Sequence, residues 1–270
     1  MNYTKILVED IDASLIEILI AELSNINFEG FEESSDQLKA YVLSDKYNEL
    51  ETNGLLDKFK CKFSTTEMPD QNWNALWESN FEPVIIDDFC EVRADFHTPS
   101  NSTLHEIVIT PKMSFGTGHH ATTFMMIQQM RNIDLKNKRV ADFGTGTAIL
   151  SILAEKLGST KVVGIDYDDW SIRNAEENIT KNNCQAVSLI QSGQFALTEK
   201  FDVILANINK NIILENLDGL VFGLNMNGFL LISGFLKEDE SELIESFSAQ
   251  KLSHINTLQS GNWISILLKS

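Results

Sequence analysis

The amino-acid sequence predicts an α/β protein in two parts, a doubly wound and mostly parallel sheet in residues 84–270 and a small α+β unit in residues 1–66. Strand-like and helix-like segments alternate from residue 140 to residue 247. A glycine-rich turn, DFGTGT, follows the first of these strands, as at the ligand-binding crevice of parallel sheets. The order β-α-β-β-α-β in the smaller unit is that of the ferredoxin-like fold. A connector with a short helix is predicted at 67–83.

The composition describes a globular protein with a strong negative charge. Of the 270 residues, 43% are hydrophobic, and 39 acidic residues against 21 basic ones give a net charge of -18. Such a polyanion is repelled by nucleic acid, whose binding depends on neutralised phosphates, so direct nucleic-acid binding is not expected. The charge is explained either by solubility alone or by a basic macromolecular partner.

A cytoplasmic protein is predicted from three features of the sequence. The first residues lack the apolar centre of a signal peptide, and no segment is long and uncharged enough to span a bilayer. The three cysteines are widely spaced and form no CxxC pair, so neither a disulfide framework nor a cysteine-based metal site is expected.

The smaller unit is predicted element by element. A β-rich segment at 3–8 precedes a helix that Asp10 or Asp12 can cap, whose apolar residues recur at helical spacing. The further predicted elements are strands at 27–33 and 37–43, a helix at 45–56 and a strand at 59–64. Because this layout serves binding, regulation and dimerisation alike, it names no function by itself.

A polar segment, PKMSFGTGHHATT at 111–123, lies between short strands (84–86, 89–94 and 106–110) and an apolar helix at 121–130. We expect it to lie over a ligand, with Phe115 supplying an apolar surface and Thr122 or Thr123 a hydroxyl. The alternative is that the threonines only cap the helix. Its adjacent histidines diverge and have no carboxylate or cysteine at ligand spacing, so no metal site is expected.

The glycine-rich turn contains Asp142, Gly144 and Gly146, and its glycines allow the backbone to approach a ligand. Ala148 stands where a dinucleotide fingerprint has a third glycine, and the acid before the turn favours a ligand with a positive centre. The next strand ends at Asp166, 22 residues after Gly144, which is close to the interval at which a carboxylate reaches ribose hydroxyls. These features together predict a site for an adenosyl group.

The rest of the chain continues the alternation. The predicted elements are helices at 168–182, 211–220 and 239–247, strands at 186–191, 201–206 and 228–233, and a closing antiparallel pair at 251–257 and 263–268. The strand FDVILAN ends at Asn207 and is expected beside the first strand, so that Asn207 faces the same crevice as Gly144. An asparagine there can donate and accept hydrogen bonds, which suits an uncharged amine; capping of a loop is the alternative.

With these motifs, the chain resembles the class I methyltransferases that use S-adenosylmethionine, and within them the PrmA family, which methylates ribosomal protein L11. The motifs that carry the resemblance are SFGTGHHATT at 114–123, DFGTGTAILS at 142–151, GID at 164–166, LANI at 205–208 and the connector WESNFEP at 77–83. The resemblance implies contacts with S-adenosylmethionine from Thr123, Gly144, Asp166 and Asn207, with Phe115 close by. Asp142 and Gly146 of the same turn complete the predicted cofactor-binding set.

Two positions depart from the family's pattern, Thr145 in place of cysteine and Ala148 in place of the last glycine. The methyl group of Ala148 is tolerable if the ligand lies mainly over Gly144 and Gly146. Residues 1–66 are similar to the family's substrate-recognition domain, and 84–270 to its methyltransferase domain.

The predicted function is therefore transfer of methyl groups from S-adenosylmethionine to amino groups of ribosomal protein L11. No membrane partner and no direct nucleic-acid binding are expected for this chain. Asn207 is predicted to orient the amine, and no general base is assigned. The alternative is methylation of another protein or of a small amine. A nucleic-acid methyltransferase usually has an N-P-P-aromatic loop, whereas Ile208, Asn209 and Lys210 follow Asn207 here.

Overall fold

The computed structural model describes residues 3–34, 36–68, 82–110 and 118–270. Phe115 and nearly all of the predicted connector at 67–83 lie outside the described residues. The chain divides into two compact units, Met1–Asn80 and Phe81–Ser270, each of which is described by itself. In the part of the chain that the structure describes, no helix has the length and apolar character needed to cross a membrane.

The first unit has the predicted order of elements. They are β1 (Tyr3–Glu9), α1 (Ala13–Asn25), β2 (Gly30–Glu33), β3 (Gln37–Leu43), α2 (Glu49–Lys58) and β4 (Lys62–Met68). The sheet order is β2-β3-β1-β4, and every pair is antiparallel. Alternate residues of β1 and β3 are buried against apolar residues of the helices, which gives this unit its own core.

Local hydrogen bonds explain where the first unit differs from prediction. Asp12 caps α1, because its carboxylate accepts the N–H of Leu15 at 2.9 Å. Helices α1 and α2 are each followed by a residue with left-handed backbone, Asn27 and Lys60, and the N–H of the next residue bonds back to the helix. Each turn uses residues that were assigned to the following strand, so β2 and β4 begin three residues later than predicted.

The second unit begins with a small three-stranded sheet. It contains β5 (Val84–Ile86), β6 (Cys90–Ala94) and β7 (His105–Ile109), in which β6 pairs antiparallel with β5 and parallel with β7. Helix α3 (Ala121–Met130) has the predicted bounds.

The large sheet has seven strands in the order β10-β9-β8-β11-β12-β14-β13. Its elements are β8 (Arg139–Phe143), α4 (Ile149–Lys156), β9 (Lys161–Asp166), α5 (Asp169–Lys181), β10 (Val187–Gln191), β11 (Phe201–Asn207), α6 (Lys210–Glu215), α7 (Leu217–Phe222), β12 (Leu224–Leu236), α8 (Glu240–Ala249), β13 (Ser253–Ser260) and β14 (Trp263–Lys269). Strands β8 to β12 are parallel, and β14 is antiparallel to both of its neighbours. The predicted doubly wound sheet with an antiparallel last strand is confirmed.

Both faces of the large sheet are buried. Along β11, Val203 and Leu205 pack into one apolar cluster, whereas Ile204 and Ala206 pack into a second cluster. The two clusters correspond to helices on the two sides of the sheet, and burial on both faces is typical of parallel sheets. One prediction needs correction, since the helix expected at 211–220 is divided at Asn216. The predicted closing antiparallel pair lies at the edge of the sheet, with β14 between β12 and β13.

Candidate active site

The glycine-rich turn between β8 and α4 depends on glycine at its first position. Gly144 has φ +76°, and a Cβ atom placed on it would lie 2.2 Å from the Cγ2 atom of Ile208. Its N–H and that of Thr145 both donate to the carbonyl of Ile165, at 2.8 and 2.9 Å. A side chain at residue 144 would therefore separate the turn from the segment that follows β11.

Ala148 occupies the N-cap of α4 with φ +62°, which is a left-handed conformation. For a residue other than glycine this conformation costs about 1–2 kcal/mol. The methyl group is completely buried in the apolar core and does not line the cavity described below. Because it points away from the cavity, alanine replaces the third glycine without occupying ligand space.

Asp142 is buried beneath the turn and is not among the residues that line the cavity. Its Oδ2 atom accepts hydrogen bonds from the hydroxyls of Thr145 and Ser151, both at 2.7 Å. Its Oδ1 atom is buried and has no hydrogen-bond partner among the described residues. Burial raises the pKa of this carboxyl from 3.8 to about 6, and the two hydroxyls oppose that rise. Thr145, at the position where the family has cysteine, thus holds the turn to the end of β8.

This raised pKa predicts a pH-dependent effect of replacing Asp142 by asparagine. Between pH 3.8 and about 6 the folded protein keeps a proton that the unfolded chain loses, so the wild-type free energy of unfolding falls as the pH rises through this range. The amide does not titrate. We therefore expect the free energy of unfolding of Asp142→Asn, relative to wild type, to increase by roughly 1 kcal/mol from pH 5 to pH 7.5. Urea unfolding of the variant and of wild type at pH 5 and pH 7.5 measures this change. The same difference in unfolding free energy at both pH values would contradict the prediction.

A cavity of about 870 Å³ opens at the carboxyl ends of β8, β9 and β11. It is lined by five of the predicted site residues, namely Thr123, Gly144, Gly146, Asp166 and Asn207. The parallel arrangement brings these residues together, since the carboxyl ends of neighbouring parallel strands meet at one edge of the sheet. The volume is within the range of small-molecule and cofactor sites.

Asp166 lies at the end of β9 with only 8% of its surface exposed. Its Oδ2 atom accepts the N–H of Gly146 at 2.9 Å, and its Oδ1 atom accepts the N–H of Asp168 at 3.1 Å. A carboxylate has about four lone-pair positions, so both oxygens retain the capacity to accept a ligand hydroxyl. Asp166 therefore combines two tasks: it joins the glycine-rich turn to the β9–α5 turn, and it presents negative charge to the cavity.

Asn207 and Thr123 form a polar pair in the wall of the cavity. The Nδ2 group of Asn207 donates to the hydroxyl oxygen of Thr123 at 3.1 Å, and Thr123 is completely buried. The Oδ1 atom of Asn207 is buried without a hydrogen-bond partner in the described part of the chain. An unpaired buried acceptor is costly, so this oxygen is suited to receive an N–H group from a bound molecule. Helix α3 is capped by His120, which accepts the N–H of Thr122, and the capping alternative for Thr123 is not needed.

Several residues of the cavity wall were not predicted from the sequence. Tyr167 and Trp170, which follow Asp166, are 76% and 55% exposed, and their position after a strand-ending acid was a usable signal. His120 and Trp263 also line the cavity, with ring centres 4.8 Å apart in an edge-to-face arrangement. Trp263 begins β14, and no local pattern predicted where that strand would lie in the sheet.

The chain is similar to known proteins over nearly its whole length. A family model described as ribosomal protein L11 methyltransferase (PrmA) matches residues 8–270. Ribosomal protein L11 methyltransferases from Porphyromonas gingivalis and Chlorobaculum tepidum are 39% and 35% identical to it, with matches that cover 93% and 96% of the chain and 89% and 94% of those proteins. The crystal structure of a ribosomal protein L11 methylase from Lactobacillus delbrueckii subsp. bulgaricus is 26% identical with a TM-score of 0.65, and the match covers 70% of this chain and 98% of that one.

Proposed function

The chain belongs to the PrmA family of ribosomal protein L11 methyltransferases, and from this membership we propose that it transfers methyl groups from S-adenosylmethionine to amino groups of ribosomal protein L11. The single observation of the site that carries the proposal is the Oδ1 atom of Asn207, which has no hydrogen-bond partner among the described residues and is fixed in the cavity wall by the bond to Thr123. That oxygen is where the N–H of an incoming amine can be received.

The residues of the cavity fit S-adenosylmethionine. We assign the ribose hydroxyls to the carboxylate of Asp166, which has free lone pairs at the end of β9. Gly144 and Gly146 offer backbone without side chains beside it. Asn207 lies at the end of the adjoining strand β11, and Thr123 lies at the start of helix α3. Phe115 and Asp142 stay in the proposed set on the sequence pattern alone, since Phe115 is outside the described residues and Asp142 lies beneath the turn.

The chemical work of the protein is positioning. S-adenosylmethionine supplies a methyl group that is already activated by a positively charged sulfur. Asn207 accepts an N–H of the neutral amine through Oδ1, and its bond to Thr123 prevents the amide from rotating. Correct orientation of the two reactants is worth up to about 7–11 kcal/mol of the barrier. A lysine with a pKa of about 10.4 loses its proton to water on entering the apolar cavity, because desolvation disfavours the charged form.

Charge supports a basic protein substrate. The chain carries a net charge of -18, and ribosomal protein L11 is proposed as the basic partner, met free of the ribosome in the cytoplasm. Direct contact with nucleic acid is not part of the proposal, because the same charge repels phosphates.

The test uses the full chain with radiolabelled S-adenosylmethionine and three acceptors: purified ribosomal protein L11, intact ribosomes and a small primary amine. We expect label in free L11, at amino groups that mass spectrometry identifies. Label in another ribosomal protein or only in the small amine would support the alternative function and overturn the assigned substrate.

A separate binding measurement tests the assigned role of Asp166. Replacing it by asparagine removes the charge and puts an NH₂ group against one of the two N–H donors, Gly146 or Asp168. We expect S-adenosylmethionine to bind about 10- to 100-fold more weakly, since hydrogen bonds to a charged group contribute about 1.5–3 kcal/mol. The matched control is Asp169→Asn, which removes an equal charge from an exposed ion pair with Arg173. Calorimetry that gave equal affinities for the two variants would exclude the role.

A further inference from the structure

Asn178 of helix α5 connects two backbone segments that lie far apart in the sequence. Its side chain is completely buried. The Oδ1 atom accepts the N–H of Thr110, just after β7, at 2.7 Å. The Nδ2 group donates to the carbonyl of Thr147, in the glycine-rich turn, at 2.9 Å. One amide thus joins the end of the small sheet to the turn that borders the cavity.

The turn is held from two sides by these bonds. Asp166 accepts the N–H of Gly146 on the side of the cavity, and Asn178 donates to the carbonyl of the next residue, Thr147. Gly146 and Ala148 on either side of Thr147 both have left-handed backbone, with φ of +52° and +62°. A backbone in these conformations persists when the surrounding structure fixes it. The contact with Asn178 is therefore placed where it can determine the shape of the turn.

Asn182 provides an internal comparison one helical turn away. Its Oδ1 atom accepts the N–H of Val108 at 3.0 Å, and its Nδ2 group donates to the carbonyl of Val108 at 2.6 Å. It holds α5 to β7 by the same two types of bond as Asn178, with both groups bonded to Val108, and its Nδ2 group also donates to the backbone carbonyl of Asn178 at 2.8 Å. The difference between the two asparagines is the link from Asn178 to the glycine-rich turn.

We propose that Asn178 is a positioning residue for methyl transfer, which holds the glycine-rich turn in its ligand-binding shape through the carbonyl of Thr147. The inference rests on the proposed function, because it assigns the turn to binding of S-adenosylmethionine. Asn178 does not line the cavity and so acts through the turn, without touching the ligand.

The decisive variant is Asn178→Asp. The carboxylate keeps an acceptor for the N–H of Thr110 but has no donor for the carbonyl of Thr147, so only the link to the turn is broken. Asn182→Asp is the control, because it loses the donor to Val108 and to the backbone carbonyl of Asn178 and introduces the same charge on a partly buried side chain, while the bond from the Asn178 side chain to the turn remains. Asn178→Ser, which is small and uncharged, serves if the aspartate variant does not fold.

The measurement is the dissociation constant of S-adenosylmethionine by calorimetry, at a temperature where melting curves show each variant folded. We expect Asn178→Asp to weaken binding by about fivefold and Asn182→Asp by less than twofold, since one hydrogen bond contributes about 1 kcal/mol, which corresponds to about a factor of five in affinity. In turnover assays, the KM for S-adenosylmethionine should rise while the KM for the protein acceptor stays constant.

Equal effects of the Asn178 and Asn182 variants on cofactor affinity would overturn the inference and leave Asn178 a structural anchor of α5. Unchanged affinity in Asn178→Asp, or in Asn178→Ser where only that variant folds, would overturn it as well. Failure of the wild-type protein to bind S-adenosylmethionine would instead contradict the proposed function. The two failures are therefore distinguished by the wild-type titration.

Discussion

Replacing Asn207 by alanine is expected to lower kcat by about 100-fold while the affinity for S-adenosylmethionine changes much less. The physical reason is that the Oδ1 atom of Asn207, which has no partner in the described part of the chain, is proposed to receive the amine, and a misplacement of about 1 Å between reactants costs about 100-fold in rate. An interaction that acts mainly in the transition state appears in kcat rather than in binding. Single-turnover rates and calorimetric dissociation constants for the same variant measure the two quantities.

Two further variants make this test specific. Thr123→Val keeps the shape of the side chain but removes the acceptor for the Nδ2 group of Asn207, so the amide can rotate and a smaller loss of kcat is expected. Asn209→Ala is the control, because Asn209 also lines the cavity but caps α6 through the N–H of Ile212. A fall in cofactor affinity with an intact single-turnover rate in Asn207→Ala would show that Asn207 only holds the cofactor.

Deleting residues 1–66 is expected to abolish methylation of ribosomal protein L11 and to leave S-adenosylmethionine binding in place. Residues 1–70 contain 15 acidic residues against 6 lysines, a net charge of -9, so half of the charge of the chain lies on about a quarter of its length. A field of this sign accelerates association with a basic protein. The apolar clusters around the large sheet consist of residues from the second unit only, so the truncated protein keeps its own core.

The measurements for this deletion are methylation of L11, calorimetric binding of S-adenosylmethionine and a melting curve. With the full chain, the association rate with L11 should also fall steeply as salt is added, because exposed charges are screened beyond about 8 Å at physiological ionic strength. A truncated enzyme that methylated L11 at the full rate would refute the recognition role of the first unit. If the association rate did not depend on salt, the acidic residues of the first unit would be explained by solubility alone.

Elements with a strong local pattern were predicted with their exact bounds. The strands Gln37–Leu43 and Lys161–Asp166 and the helix Ala121–Met130 are examples. Side chains alternate along a strand and recur every three to four residues along a helix, so the periodicity of apolar residues is contained in the segment itself. Elements preceded by a helix end, such as β2 and β4, were predicted to begin three residues too early because the left-handed turn residues resemble the start of a strand.

The candidate site was predictable where it lies at the ends of consecutive strands. Gly144, Asp166 and Asn207 follow β8 or end β9 and β11, which are adjacent in the sheet, so strand order alone brings them together. Binding of S-adenosylmethionine by these residues stays a prediction until the variants described above are measured. The PrmA resemblance was likewise recognisable, because its motifs are short contiguous segments, and the family is confirmed.

The sequence by itself determined the order of the elements, the doubly wound sheet, the family and the strand-end residues of the site, since each depends on neighbouring positions. Only the tertiary structure decided that Asp142 is buried beneath the turn, that Trp263 reaches the cavity beside His120, and that Asn178 holds Thr147. Trp263 depends on the insertion of β14 between β12 and β13, and the Asn178 bond joins residues 31 positions apart. Such contacts are decided by which surfaces pack together across the whole domain, and that packing leaves no periodic signal in any one segment.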